Sequence, residues 1–298
     1  MFSTRALLCV AAGLLAAATA TAQTVVWEED FDPEFPTDWT SLVLGSSVDE
    51  WILREDGNTT FPYSNDVWHE GWCDHGNIFR NNYLITSPID LSDTSGLTLS
   101  WDNWVLDAAF LVNCRMEITT NGGASYQLLH QLVSPPDGRH STSVDISAYA
   151  GQTVQLALHY SGAAGNDWGV DNLKITTPWT YLGQALPGSG GTPQLRGTGN
   201  LAEGTAVQLL LTDAPASSWA HFVLGFDTLN LPFYGGTMVP TLDIVVPLLT
   251  DGSGALTVGG TWPAAVPAGI DMYFQYWIES GTGPFGYVSS NGLQATMP

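Results

Sequence analysis

Two carboxylates of this sequence occupy positions from which a β-strand would point them into its own core. Glu29 lies in the early segment VVWEEDF, and Asp171 lies in the later segment GNDWGVDNLKIT. Because side chains alternate between the two faces of a strand, each acid shares its face with apolar residues. These are Val25, Trp27 and Phe31 for Glu29, and Leu173 and Ile175 for Asp171. An inward carboxylate is costly unless it is paired. We therefore predict that the two acids meet at a bound structural calcium, which prefers several oxygen ligands.

A second group of residues has the chemistry of a ligand-binding platform. Alternation along LTLSWDNWVL puts Asp102 and Trp104 on the face opposite the apolar residues. The same rule turns Gln155 and His159 outward along TVQLALHYSG. Sugar rings stack on aromatic faces, and nearby polar groups supply hydrogen bonds. We predict a glycan-binding or protein-binding face at these four residues. The alternative is that this face packs beneath a long loop or against a second domain.

Catalysis has less support in the residues. Asp102 and Glu117 are carboxylates of the kind that glycoside hydrolases use in pairs, but the sequence does not fix their separation. The chain has no GxSxG elbow, no P-loop and no dinucleotide fingerprint. We therefore expect a non-catalytic protein, and a glycan-degrading enzyme is the alternative.

The charge balance excludes several classes of partner. The 298 residues carry 29 Asp and Glu against 7 Lys and Arg, a formal net charge of -22. Nucleic acids and anionic membranes are bound by clustered Lys and Arg, which this chain lacks. The chain is also 44% hydrophobic, enough to form packed cores. These values predict a soluble, folded, acidic protein that binds neither nucleic acid nor an anionic membrane.

The first 22 residues have the pattern of a bacterial secretory signal peptide. Arg5 precedes the apolar run ALLCVAAGLLAAATA, and Ala20-Thr21-Ala22 is a small-residue cleavage site. We expect the mature chain to begin at Gln23 and to be secreted or displayed at the cell surface. Outside this segment the sequence contains two cysteines, Cys73 and Cys114. In an oxidising compartment such a pair is expected to form a disulfide.

The rest of the sequence predicts two all-β domains. Residues 23–177 contain short alternating segments separated by turn signals, and they predict a jelly-roll β-sandwich. Residues 45–82 are irregular and polar, and they predict a long functional or cross-linked loop. Residues 178–200, which are rich in Gly and Pro, mark the boundary. Residues 178–298 predict a second, smaller β-sandwich.

Six segments in order resemble a known family. They are FDPEFPTDWT, NNYLITSPIDLS, LSWDNWV, ITTNGGASY, VDISAYAGQTVQLALHY and NDWGVDNLKI. Together, over residues 27–176, they resemble the MAM-like jelly rolls of bacterial secreted proteins, which include cleaved-adhesin and choice-of-anchor type domains. The resemblance implies a β-sandwich that often holds a structural calcium and serves in adhesion or as an accessory module.

The resemblance also extends the predicted calcium site. The family pattern ends in a Trp followed by a paired acid, and here Trp168 precedes Asp171 and Asn172. The second acid is therefore an amide in this chain, whose oxygen can still bind calcium. Glu29 matches the acid of the opening strand, and Asp32 is a further candidate ligand. The resemblance implies a secreted adhesion or accessory module, and we predict that it binds a glycan or a protein. A purely structural surface or matrix protein is the alternative.

Overall fold

The computed structural model describes residues 23–31, 36–44, 51–54, 66–69, 79–92, 94–105, 113–133, 138–163, 168–264 and 266–298. In these ranges the regular elements are β-strands, apart from two 3-10 turns at Ser147–Tyr149 and Pro284–Gly286. The predicted all-β class is confirmed. The predicted signal peptide, residues 1–22, lies outside the described residues, as do Asp32 and Cys73.

The chain divides into two compact units. The N-terminal unit comprises Val25–Thr94 and Thr98–Thr176, and the C-terminal unit comprises Thr177–Pro298 with Ser95–Leu97 and, of the described N-terminal residues, Gln23 and Thr24. The short segment Ser95–Leu97 therefore lies in the sequence of one unit and in the fold of the other.

The N-terminal unit is a sandwich of two antiparallel sheets. Its strands are β1 (Thr24–Glu29), β2 (Thr40–Val43), β3 (Trp51–Arg54), β4 (Asp66–His69), β5 (Phe79–Ile85), β6 (Ile89–Asp90), β7 (Thr98–Val105), β8 (Asn113–Thr119), β9 (Gln127–Gln131), β10 (Gly138–Asp145), β11 (Thr153–Ala163) and β12 (Trp168–Thr177). One sheet, called the front sheet below, has the order β10-β7-β12-β4-β3, with β1 beside β12. The other, the back sheet, has the order β2-β5-β11-β8-β9, with β6 beside β11.

Alternating apolar residues form the core between these two sheets. Along β7 every second residue is buried, as the sequence predicts. The buried members are Leu99, Trp101, Asn103 and Val105. The indole of Trp101 on the front sheet meets the ring of His130 on the back sheet edge-on, with centroids 5.7 Å apart. The two inner faces therefore pack against each other, and both outer faces are left for other contacts.

The long irregular loop predicted at residues 45–82 is partly wrong. Strands β3 and β4 lie within this segment and pair with each other, from Trp51 opposite His69 to Arg54 opposite Asp66. Strand β5 begins at Phe79, also inside it. The two paired strands are four residues long and flanked by polar residues, so alternation was too brief to identify them.

A β-bulge interrupts β12 and overturns the predicted inward position of Asp171. The pairing with β7 runs from Trp168 to Asp171, which lies opposite Asp102, and it resumes with Lys174 opposite Ser100. Between these pairs, Asn172 and Leu173 of β12 oppose the single residue Trp101 of β7, which is one extra residue. Asn172 takes the left-handed conformation, with φ 52°. Because of this extra residue, Asp171 shares the outer face with Asp102 while Leu173 still points into the core.

The C-terminal unit is a second β-sandwich. Its strands are β13 (Trp179–Gly183), β14 (Gln194–Thr198), β15 (Ala206–Thr212), β16 (Trp219–Gly225), β17 (Thr228–Phe233), β18 (Gly236–Pro240), β19 (Ile244–Leu249), β20 (Leu256–Thr261), β21 (Asp271–Glu279), β22 (Tyr287–Ser289) and β23 (Gly292–Thr296). The larger sheet has the order β13-β23-β21-β16-β19, with β22 beside β21, and the smaller has the order β14-β15-β20. An apolar core lies between them and includes Trp179, Leu209, Phe222 and Tyr276.

Two local features of the C-terminal unit matter below. The hairpin β17–β18 packs on the outer face of the larger sheet through Met238, Val223 and Trp277. The backbone of the segment Ser95–Leu97 lies close to the backbone near Gly199. Gly96 has φ 63°, and a side chain there would collide with the carbonyl of Gly199.

Candidate functional site

The outer face of the front sheet carries an open groove of about 460 Å³. We call it the front groove. Its outward polar side chains come from four strands of the sheet. They are Glu28 on β1, Ser100 and Asp102 on β7, Ser141 and Ser143 on β10, and Asn172 and Lys174 on β12. They lie on one face because the registers put Ser141 and Asp171 opposite Asp102, and Ser143 and Lys174 opposite Ser100. The groove thus offers hydroxyl, amide and charged groups along a flat surface.

Asp102 is the centre of the hydrogen-bond network in this groove. Its carboxylate forms an ion pair with Arg139 and accepts hydrogen bonds from Ser141 Oγ at 2.6 Å and from Asn172 Nδ2 at 3.1 Å. Partial burial would raise the pKa of Asp102, but the hydrogen bonds from Arg139, Ser141 and Asn172, together with the charge of Arg139, outweigh it, so the pKa is lowered. Asp102 is therefore a fixed, ionised hydrogen-bond acceptor.

The other cation of the groove is also paired. Lys174 Nζ lies 3.0 Å from Glu28 Oε2 across β12 and β1. This pair is exposed, so it adds little to stability, and the carboxylate of Asp30 also lines the groove. With both cations matched to carboxylates, the groove has little attraction for an anionic ligand.

Trp104 extends the site at one end of the groove. It lies between Arg139 on β10 and Gly169 on β12 in the register of the sheet. A small adjoining pocket is bordered by Trp104, Asp102, Arg139 and Asp171. The aromatic ring and the hydrogen-bond network are thus neighbours on one face, as the sequence predicts for Asp102 and Trp104.

The other two residues of the predicted ligand platform lie elsewhere. His159 and Gln155 are on β11, which belongs to the back sheet. His159 is 6% exposed, stacks on Tyr83 with ring centroids 3.9 Å apart, and contacts Glu117 and Asn81. Gln155 Nε2 donates to the carbonyl of Thr86 at 2.8 Å. The prediction of one shared platform is therefore corrected. Alternation assigns the face of a strand, but it does not assign the strand to a sheet.

The carboxylate pair considered for glycoside hydrolysis is separated for the same reason. Glu117 is on β8 of the back sheet, within 3.1 Å of His159 Nδ1, and Asp102 is on the front sheet. A general acid needs a raised pKa, whereas the pKa of Asp102 is lowered. The described residues provide no support for this pair as a catalytic site.

The predicted calcium ligands Glu29 and Asp171 do not fit a shared site. Glu28 points to the outer face, where it meets Lys174, so its neighbour Glu29 points to the other face. Glu29 Oε1 accepts a hydrogen bond from the backbone N–H of Phe31 at 2.8 Å. Burial raises the pKa of Glu29, although that hydrogen bond opposes the shift. Asp171 is on the outer face and accepts from Asn172.

Calcium itself remains a prediction. In the described part of the chain, no three His, Cys, Asp or Glu side chains form a group that could hold a metal ion. The candidate ligand Asp32 lies outside that part, and the side-chain amide of Asn172 hydrogen-bonds to Asp102 and Asp171.

The predicted disulfide has no support in the structure. Cys114 on β8 is a buried free thiol, and burial raises its pKa. Its proposed partner Cys73 lies outside the described residues. A protonated, buried thiol is unreactive, so Cys114 has the character of a core residue.

One strand of the site has only a weak signal in the sequence. Strand β10 supplies Arg139, Ser141 and Ser143, and its burial alternates along GRHSTSVD. The alternation of Arg and Ser with His, Thr and Val is the sequence signal for this strand. It is weak because the segment is mostly polar and has few of the apolar residues that mark a strand.

Comparison with known proteins identifies no family. No protein-family model and no curated protein matches the chain. Solved structures resemble it at low identity. The K1 cleaved adhesin domain of Lys-gingipain from Porphyromonas gingivalis W83 is 17% identical over 50% of this chain and 96% of that domain, with a TM-score of 0.40.

Two further structures are similar at the same level. The CBM22-1 xylan-binding domain of Xyn10C from Paenibacillus barcinonensis is 13% identical over 53% of this chain and 97% of that domain, with a TM-score of 0.34. The Endo-D glycoside hydrolase domain from Streptococcus pneumoniae R6 is 13% identical over 87% of this chain and 37% of its own length, with a TM-score of 0.31. At these identities and TM-scores no residue role is transferred to this chain. Among the described residues, no helix has the length and apolar character needed to cross a membrane.

Proposed function

We propose that this protein is a secreted, non-catalytic binding module whose front groove takes a neutral glycan. The observation that carries the proposal is the hydrogen-bond network around Asp102 on an open, polar sheet face. Arg139, Ser141 and Asn172 hold that carboxylate in place at the wall of the groove, and each carboxylate oxygen can accept further hydrogen bonds. Sugar hydroxyls are donors and acceptors that match such fixed polar groups.

The charge and the aromatic ring favour a sugar over other ligands. The cations of the groove are paired with Glu28 and Asp102, which disfavours phosphates and acidic polymers. Trp104 borders the network and offers a surface for the apolar face of a sugar ring. A purely structural role remains the alternative, and it predicts no binding at all.

The test is native affinity electrophoresis of the full chain in gels that contain xylan, β-glucan, galactan or mannan. We expect at least one of these neutral polysaccharides to retard the protein. Asp102→Ala is expected to weaken binding by about tenfold or more, because the centre of the network is lost. Ser143→Trp is expected to block the groove without touching Asp102.

The matched control is Leu128→Trp, which places the same side chain at an exposed position of β9 on the back sheet. It is expected to bind as the unmodified chain does. Melting temperatures identify any variant that has lost its fold. If the unmodified chain is not retarded by any of the four polysaccharides, or if Ser143→Trp binds unchanged, the front groove is not a glycan site.

A further inference from the structure

The C-terminal unit carries a cluster of exposed aromatic rings contributed by two separate loops. Tyr234 lies in the turn between β17 and β18, and Phe285 lies in the segment between β21 and β22. They are 45% and 78% exposed, and the ring of Phe285 lies beside Gly235, the residue that follows Tyr234. Tyr287 completes the cluster, with its ring centroid 4.6 Å from that of Tyr234 and the two planes inclined by 32°. We call Tyr234, Phe285 and Tyr287 the aromatic platform.

The backbone beneath two of these rings is held in a conformation that bulky residues disfavour. Tyr234 has φ 42° and the following Gly235 has φ 86°, and Phe233 pairs with Gly236 across this two-residue turn. Two positive φ angles define a type I′ turn, whose preferred sequence is Asn-Gly. Phe285 has φ 52° and ψ 24°, also in the left-handed region. Stability alone favours Asn or Gly at both positions, so the aromatic side chains call for another reason.

The platform rests on a rigid base. Phe233 meets Trp277 edge-on, with centroids 4.9 Å apart. The buried side chain of Gln275 fixes strand β18 to the larger sheet, since it accepts from Val239 N at 3.0 Å and donates to Thr237 O at 3.0 Å. The turn that presents Tyr234 is thus anchored, and a ligand would meet rings that are already ordered.

Polar groups lie beside the rings. The ring centroid of His221 is 6.4 Å from that of Tyr287, and His221 Nε2 lies 3.7 Å from Glu279 Oε1. Trp219, which is 51% exposed, precedes His221 by two residues on β16 and therefore lies on the same face. The surface thus continues from the platform past hydrogen-bonding groups to a further aromatic ring.

We propose that the aromatic platform is a second glycan-binding site, specific for a neutral oligosaccharide. Tyr234 and Tyr287 lie partly face to face, so the apolar face of a sugar ring would stack on the outward face of Tyr234 or on Phe285, and its hydroxyls would reach His221 and Glu279. The charge of this part of the chain decides against an anionic partner. Residues 178–298 contain seven Asp and Glu, and Arg196 is their one Lys or Arg. A membrane surface rich in anionic lipid, or an acidic glycan, would be repelled.

The proposal does not depend on the front groove, and variants of the full chain test it separately. Tyr234→Asn creates the preferred Asn-Gly turn. Phe285→Asn replaces a bulky side chain at a left-handed position by a residue that tolerates positive φ. We therefore expect both variants to keep the melting temperature of the unmodified chain.

We also expect both variants to lower affinity for neutral oligosaccharides by about tenfold or more, because the stacking surface is lost. A merely structural role of these rings predicts the opposite pattern, a lower melting temperature with unchanged affinity.

The binding measurement uses an array of neutral oligosaccharides of glucose, xylose, galactose and mannose. It is made in the Ser143→Trp background, where the front groove is blocked, so that the two sites report separately. Tyr181→Asn is the control, since Tyr181 is a 41% exposed tyrosine on β13 at the other edge of the same sheet. Flotation with vesicles of phosphatidylcholine, with and without phosphatidylserine, tests the lipid alternative.

Binding that survives Ser143→Trp and Tyr181→Asn but is lost in Tyr234→Asn and Phe285→Asn establishes the platform. The proposal is overturned if the Ser143→Trp chain binds no neutral oligosaccharide, or if both asparagine variants bind as tightly as their parent. It is also overturned if vesicles, rather than sugars, bind the platform. The front groove is judged by a different comparison, the drop in binding from the unmodified chain to Ser143→Trp. A complete loss in Ser143→Trp would leave the front groove as the glycan site and overturn the platform alone.

Discussion

The side chain of Asn172 donates a hydrogen bond to Asp102 on the neighbouring strand, with Nδ2 and Oδ2 3.1 Å apart. It can do so because Asn172 is the left-handed residue of the bulge in β12. The same amide lies 2.8 Å from Asp171 Oδ2. One backbone irregularity thus places an amide between two carboxylates and completes the network of the front groove.

Asn172 provides the first prediction. Asn172→Gly removes the amide but keeps the backbone conformation, whereas Asn172→Ala removes the amide and adds a left-handed alanine. Urea denaturation is expected to show Asn172→Ala less stable than Asn172→Gly by about 1 kcal/mol, because a Cβ is disfavoured at positive φ. Equal stability of the two variants would mean that the bulge relaxes to a regular strand when the amide is lost.

The ion pair between Arg139 and Asp102 predicts a pH dependence. The folded pKa of Asp102 is lowered, so its contribution to stability is present above the unfolded pKa of about 3.9 and is lost as pH falls through the folded value. Arg139→Gln should therefore lower the melting temperature at pH 7, and the difference from the unmodified chain should shrink below about pH 4. Melts from pH 7 to pH 2 measure it. A difference that is constant over this range would show that the loss has another cause than the Asp102 charge.

Asn103 is a buried polar residue on which several hydrogen bonds depend. Its Oδ1 accepts from Trp101 Nε1 at 2.8 Å and from Trp168 Nε1 at 3.1 Å, and its Nδ2 donates to Thr142 Oγ1 at 2.9 Å. Asn103→Leu leaves two buried indole N–H groups unsatisfied, so we expect a loss of about 3 kcal/mol or more in the free energy of unfolding.

The comparison variant is Asn113→Leu, at a partly buried position on β8 where the side chain hydrogen-bonds to Gln131. It is expected to cost about 1 kcal/mol. Similar losses in Asn103→Leu and Asn113→Leu would show that the indole groups find other partners.

Glu29 provides a test of both its own charge and the predicted calcium. Its folded pKa is raised by burial, so its contribution to stability is present below the unfolded pKa and is lost as pH rises through the folded value. Glu29→Gln keeps an acceptor for Phe31 N without the charge. We expect it to melt higher than the unmodified chain at pH 7 in the presence of a chelator, with the gap closing in acid.

Calcium would reverse this order. If the ion binds at Glu29, calcium chloride should raise the melting temperature of the unmodified chain, and Glu29→Gln should abolish that rise. If calcium chloride does not change the melting temperature of a metal-free preparation, the calcium prediction is wrong.

The sequence was informative where a strand alternates clearly. It placed Leu99, Trp101 and Val105 inward and Asp102 and Trp104 outward, and the structure agrees. Alternation is a local property, because each residue of an extended strand faces away from its neighbours. The all-β class and the two sandwiches followed from the same local signals.

What the sequence did not predict depends on distant pairing. The separation of His159 from Trp104 reflects which strands share a sheet, and long-range pairing sets that. The outward position of Asp171 follows from a single extra residue, and Asn172, which tolerates positive φ, was its one local sign. The contribution of Arg139 required knowing that β10 lies beside β7.

The segment Ser95–Leu97 has a consequence for how these modules can be cut and recombined. Ser95 Oγ donates to the carbonyl of Gly197 at 2.6 Å, and the carbonyl of Ser95 accepts from Thr177 Oγ1 at 2.6 Å, so this piece belongs to the C-terminal fold. A gene fragment that starts at residue 177 would encode the C-terminal unit without Ser95–Leu97. A single cut near residue 177 would therefore separate the C-terminal unit from a segment that completes its hydrogen bonding.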